Sequence, residues 1–236
     1  MKEHSLTRGN ILQSLMRFAL PVLAALFLQA MYGAVDLLIV GKFAGTYEQS
    51  GVATGSQLFN MVTMIVTGLS MGITVFVGES IGAGRTKEAG KGIGTGIVIF
   101  AVTALIITVF VVPFSDNLAL LMHAPEEAFS QTSDYVRICG IGTVFIVAYN
   151  VLGAVFRGIG DSGTPLMTVA IACVINILGD LLLVAVFDMG AAGAAWATVL
   201  AQAVSVVISL LVIRKRALPF DFSKADIGLK KKYALK

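Results

Sequence analysis

Two aspartates stand inside long apolar stretches of this 236-residue chain. Asp36 interrupts the otherwise uncharged run 18–41, and Asp180 the run 162–187. An ionisable side chain deep in a membrane span costs about 2.5–3.5 kcal/mol on insertion scales, so such a residue marks function by default. Each aspartate has polar company on its own helical face. Gln29, Tyr32 and Asp36 are spaced i, i+3, i+7, and Asn176 and Asp180 i, i+4. Asn150 and Thr198 are further candidates, and Tyr135 joins them if its hydroxyl points inward rather than into an interfacial aromatic belt. Two carboxylates in one low-dielectric site cannot both stay charged without compensation. Either at least one holds a proton, or a cation such as sodium sits among Asp36, Asn176, Asp180 and Thr198, whose carboxylate, amide and hydroxyl oxygens suit a hard ion. The bland alternative is that these groups only bridge helices by hydrogen bonds.

Residues of this kind need long helices to hold them. The chain is 57% apolar and 13% charged, against about 25% charge in a soluble domain, and its mean hydropathy is +0.88. That excludes most soluble enzymes and binding modules, and also a disordered chain. Uncharged runs cover 49–78, 92–115, 138–156 and 189–213. With the two acid-interrupted runs, they predict six membrane-spanning helices near 14–40, 50–77, 92–113, 131–156, 164–187 and 191–213. Continuous apolar runs exclude the alternating pattern of a barrel. The expected fold is therefore all-α and integral to the membrane. It is a six-helix bundle over residues 1–213, followed by a basic tail over 214–236. Pro21 removes a backbone hydrogen bond inside the first span and is a candidate hinge.

The basic residues set the orientation. With both termini on the cytoplasmic side, every Lys and Arg lies inside except Lys42 and Arg137. Positive charge is thus explained by topology and calls for no nucleic-acid partner. The spread of charge near the N-terminus and the acid in the first apolar run do not fit a cleaved signal. Residues 158–163 match G-x-G-x-x-G, but between two spans the motif lacks the strand that a dinucleotide site needs. Gly158 to Asp161 also matches the Gly-x-Gly-Asp of intramembrane aspartyl proteases. Asp161 falls in a loop, however, where it suits a turn before a helix opened by Thr164 and Pro165. Gly82 to Arg85 is a glycine turn without the end of a phosphate loop. Cys139, Cys173 and the nine methionines read as packing. No resident cofactor is expected.

Several segments together resemble the multidrug and toxic compound extrusion (MATE) transporters, in particular their amino-terminal lobe. These are Phe18-Ala19-Leu20-Pro21 through Val35-Asp36 to Gly41, Gly78-Glu79-Ser80-Ile81-Gly82-Ala83-Gly84-Arg85, Phe156-Arg157-Gly158-Ile159-Gly160-Asp161 to Pro165, and Asn176-Ile177-Leu178-Gly179-Asp180. The family more often has Gln where this chain has Glu79. The resemblance implies a cation-coupled antiporter, driven by protons or sodium, that exports organic and often cationic compounds by alternating access from a bacterial cell membrane. It implies two six-helix lobes, of which this chain supplies one. By motif, the coupling carboxylates fall on Asp36 and Asp180, with Asn176 and Thr198 beside them. Gln29, Tyr135 and Asn150 fall on further polar positions, and Pro21 on the proline about which the first helix bends.

The expected protein is thus not an enzyme but half of a multidrug antiporter, partnered by the lipid bilayer and by a carboxy-terminal lobe or a second copy of itself. On this expectation 214–236 is a shortened inter-lobe linker. Three rival readings carry different signatures. Half of a lipid-linked saccharide flippase of the same superfamily favours a basic cavity, whereas these spans hold almost no cation. An intramembrane aspartyl protease requires its glycine motif within a span. A non-transporting assembly subunit requires neither.

Overall fold

The computed structural model describes residues 11–216 together with 219, 220, 222 and 226–228, and among these every regular element is helical. The elements are α1 (Ile11–Phe43), α2 (Thr46–Gly82), α3 (Thr86–Val111), the short α4 (Ser115–Leu121), a 3-10 turn (Glu126–Ala128), α5 (Phe129–Ile141), α6 (Thr143–Gly158), α7 (Gly163–Asp180), a π-helical extension (Leu181–Val186) and α8 (Gly190–Lys215). Five helices are long and apolar enough to cross a membrane, with the π turn counted as the end of α7. A sixth span results if α5 and α6 are taken as one.

That sixth span departs from the straight helix expected over 131–156. Its two halves meet at 56° around Gly142. A Cβ on Gly142 would collide with the Val199 side chain, and one on Gly140 would crowd Val111 and Val112. Glycines here let the broken segment sit directly against α3 and α8. The Thr108 and Thr143 hydroxyls donate to the carbonyls of Gly140 and Cys139, at 3.1 and 3.2 Å, so the break leaves polar backbone partnered. The connection 114–130 folds into α4 and the 3-10 turn.

Small residues govern the packing. α1 lies mainly on α7, α7 on α8, α2 on α5 and α6, and α3 on α6 and α2. Inside a membrane, close backbone approach replaces the hydrophobic drive that water would supply. Gly51 abuts Gln131, Gly55 abuts the Tyr135 ring, and Gly158 sits over Val77 and the Thr74 carbonyl. Threonine and serine hydroxyls bind the helices further: Thr74 donates to the Ala154 carbonyl at 3.0 Å, and Ser205 to the Thr168 carbonyl at 3.1 Å.

Polar clamps hold both ends of the bundle. At one end Glu48 Oε2, in the first turn of α2, accepts the Ala191 N–H at 2.6 Å and so caps α8. Gly190, at φ +52°, leaves the room that this carboxylate occupies. At the other end Asp161 accepts the Thr164 N–H at 2.9 Å, as its place before the helix suggests, and pairs with Arg216 at 2.6 Å. Phe220 is buried against Val77, Ala89, Ile93 and Val155, and the Gly228 carbonyl accepts from Thr95 Oγ1 at 3.1 Å. Residues 217, 218, 221, 223–225 and 229–236 of the expected tail lie outside the described residues. Arg137, one of the two cations that break the charge rule, faces Asp116 and Asp134 at 3.4 and 3.9 Å. Lys42, the other, lies over the Phe43 ring.

Gly158→Val tests the packing. Its Cβ would stand 2.9 Å from Val77 Cβ and 3.0 Å from the Thr74 carbonyl. Overpacking of this kind costs about 1–3 kcal/mol, so the variant should unfold at a lower temperature in detergent. An unchanged midpoint would show that α2 and α6 pack more loosely at this contact.

Candidate functional site

Asp36 and Asp180 come together in the middle of the bundle. α1 carries Asp36 and packs along α7, which ends at Asp180. Both are buried, at 4% and 0% exposure, as is Asn176 at 1%. The two carboxyl groups adjoin closely enough for one proton to bridge them. Directly after Asp180 the helix widens into a π turn, with the Phe187 N–H reaching the Leu182 carbonyl at 3.0 Å. Such turns are uncommon and recur at functional sites. No spacing rule signals this one from residue types.

A close crossing brings α8 into the site. A Cβ on Gly179 would lie 2.9 Å from Ala197 Cβ, so the two backbones approach where Asp180 and Thr198 follow. Asn176 Nδ2 donates to Thr198 Oγ1 at 3.3 Å. One turn on from Thr198, the Gln202 amide lies beside the Tyr32 hydroxyl. Gln202 is not among the residues expected from sequence, although its i+4 spacing from Thr198 on the same helix is a signal that could find it.

The other expected residues divide. Tyr135 is 4% exposed, in one cluster with Val40, Val52 and Cys139, within electrostatic reach of Asp36 and Tyr32. It belongs to the core and not to an interfacial belt. Cys139, which reads from sequence as packing, also lies within reach of Asp36. Gln29 reaches across to α6, donating to the Tyr149 hydroxyl at 3.4 Å. Asn150 is engaged elsewhere: it accepts from Thr67 of α2 at 2.9 Å and donates to the Ile146 carbonyl at 2.8 Å. It joins α6 to α2, and neither of these partners is Asp36 or Asp180. Pro21 lies ten residues into α1, a single continuous helix, and leaves the Arg17 carbonyl without its usual donor.

The chemistry follows from oxygens that lack donors. Asp36 Oδ1, both oxygens of Asp180, Asn176 Oδ1 and Gln202 Oε1 are buried, and no N–H or O–H among the described residues reaches them. Buried acceptors left this way are costly, and nearly all such groups in proteins are satisfied. A proton shared by the carboxyls, or a hard cation with water, supplies what is missing. The set fits a small cation by donor type. Among the described residues no cluster of three His, Cys, Asp or Glu side chains suits a transition metal.

N,N′-dicyclohexylcarbodiimide reacts with protonated carboxyls in apolar surroundings, and peptide mapping reads where. Labelling should concentrate on Asp36 and Asp180 over the outer-loop acids Glu126 and Glu127. Equal, low labelling at all four would contradict a protonated pair.

The MatE family model matches residues 21–182, a span that contains both aspartates. The probable multidrug resistance protein YpnP of Bacillus subtilis is 31% identical over 229 residues, covering 95% of this chain and 51% of that protein. The probable multidrug resistance protein NorM of Thermotoga maritima is 30% identical over 212 residues, covering 88% of this chain and 45% of that protein. A solved MOP superfamily transporter from Pyrococcus furiosus superposes with a TM-score of 0.89 at 23% identity, over 97% of this chain and 51% of its own. A MATE structure in the straight conformation superposes at 0.87 and 24%, over 97% and 51%. The chain spans about half the length of the curated relatives it matches.

Proposed function

The chain belongs to the MatE family, a family of multi-pass transporters of the cell membrane, and we propose that it acts as the amino-terminal half of a cation-coupled multidrug antiporter. The observation that carries this reading is the adjoining, buried and donor-poor pair Asp36 and Asp180. Binding a proton or a sodium ion there removes an electrostatic penalty. The ion therefore favours whichever arrangement of α1 against α7 and α8 completes the site, and a ligand shifts a conformational equilibrium only through such differential affinity. Asn176 orients Thr198, and together they offer neutral oxygens to the ion. Tyr32 and Gln202 continue the polar lining away from the acids.

The helix that carries Asp36 is the one best able to move. Only 11% of the apolar stretch of α1 is buried inside the bundle, and 17% of that of α2, against 28–33% for α3, α7 and α8. Pro21 weakens the backbone of α1 two turns before Gln29, through which the helix contacts α6. The end clamps described above join α2 to α8 and the start of α7 to the end of α8. Exposed apolar side chains along the first half of α1, such as Leu20, Leu23 and Phe27, are suited to lipid or to a second lobe, which would close a cavity for organic substrates. Alternating access then moves the lobes about a binding region near the membrane midplane. With both termini cytoplasmic, the loop 114–130 faces outward.

Ethidium efflux from cells lacking their major pumps tests the proposal. The chain is expressed alone and with a matching carboxy-terminal lobe, in wild-type form and as Asp36→Asn or Asp180→Asn. Efflux should appear in the wild-type chain paired with the second lobe and fall to background in either variant, with membrane insertion unchanged. Undiminished efflux in both variants would contradict coupling through the pair.

A further inference from the structure

The last turn of α6 carries Arg157, and its side chain runs the wrong way for an arginine that serves only topology. A long cationic side chain at the end of a span ordinarily extends toward water. Arg157 instead folds back along its own helix: the position of a Cβ on Gly153 lies 3.3 Å from Arg157 Nη1 and 3.9 Å from Cζ. The guanidinium therefore sits one turn deeper in the span than its own backbone. It is half-buried.

No carboxylate among the described residues pairs with it. Asp161, four residues on, is taken by Arg216 at 2.6 Å and by the Thr164 hydroxyl at 2.6 Å. Tyr149, two turns deeper on the same face, lies within its electrostatic reach. The Tyr149 hydroxyl accepts from Gln29 Nε2 at 3.4 Å, which leaves its own proton free to donate. Gly153, between the two, adds no side chain. A planar fork of N–H donors and a phenolic O–H thus line one stripe of α6, opposite the Gln29 amide of α1, with no acceptor charge to match them.

We propose that Arg157 and Tyr149 form a subsite for an oxyanion, the phosphate or similar anionic head of an amphiphilic molecule, in the half of the lobe where α6 ends. Guanidinium is suited to this because its fork meets two oxygens at once, which an ammonium cannot do. Gly153 lets the guanidinium lie flat on the helix, and the exposed apolar side chains of α1 offer a surface for the tail. The anion can come from a membrane phospholipid or from a soluble compound. The subsite is separate from the carboxyl pair, and its test does not depend on transport.

Native mass spectrometry of the purified 236-residue chain reads binding directly. The probes are phosphatidylglycerol against phosphatidylcholine, and octyl phosphate against octyl glucoside. The wild-type chain should retain one anionic molecule in preference to its neutral counterpart. Arg157→Gln should weaken anion binding about tenfold and leave neutral binding unchanged. Arg157→Lys, which keeps the charge without the fork, should fall between. Gly153→Ala, which crowds Nη1, should also weaken it, and these two variants keep the test readable if Arg157→Gln does not fold. Phosphatidylglycerol that octyl phosphate cannot displace identifies a lipid head as the source. Octyl phosphate bound without phosphatidylglycerol identifies a soluble amphiphile. Equal anion binding in the wild type and all three variants, or no preference for anions in the wild type, would overturn the proposal.

Discussion

Two carboxyl groups side by side in the centre of a membrane bundle are the constraint on which this structure turns. Neither has a basic partner among the described residues, and three of their four oxygens lack a protein donor. In a low-dielectric site two bare charges at contact repel strongly, and each has also lost its water. The arrangement is tolerable only if something positive is shared between them. On the proposed reading, an ion or a proton completes the folded state there, and its loss or gain is the conformational signal.

The packing around the pair serves closeness. Gly179 against Ala197 lets α7 and α8 approach, and so brings Thr198 to Asn176. Gly55 admits the Tyr135 ring, which closes the apolar wall beside Asp36. The bend at Gly142 divides one span into α5, which carries Tyr135, and α6, which carries Asn150. Clamps at the ends resist shear: Glu48 on α8, Asp161 on Arg216, and Gln49 Nε2 on the Leu37 carbonyl at 3.1 Å. The last of these ties α2 to α1 one residue beyond Asp36.

Much of this is legible in the amino-acid sequence, for a physical reason. Membrane cost makes Asp36 and Asp180 conspicuous, and helical spacing puts Asn176 with Asp180 and Tyr32 with Asp36. Length and apolarity reveal helices directly, because lipid permits little else. What the sequence conceals depends on how the helices meet. Asn150 has the residue type and depth of a site member, yet amides satisfy themselves with whatever helix is adjacent, and Thr67 is adjacent. Tyr135 has the position of a boundary residue, and the break at Gly142 and the gap at Gly55 turn it inward. The π turn after Asp180 has no signature in residue type, and Gln202 is conspicuous only through its i+4 spacing from Thr198. Arg157 reads along the chain as one more inner-side cation, since charge rules see position in the sequence and not the direction of a side chain.

Infrared difference spectroscopy of the purified chain tests most directly whether the pair holds a shared positive species. The carboxylic C=O stretch of a protonated acid is separate from carboxylate bands and shifts in heavy water. The account predicts such a band, or a carboxylate change on adding sodium, in the wild type, and its loss in both Asp36→Asn and Asp180→Asn. A wild-type spectrum with neither the protonated band nor a sodium response, or a band that survives in both variants, would contradict it.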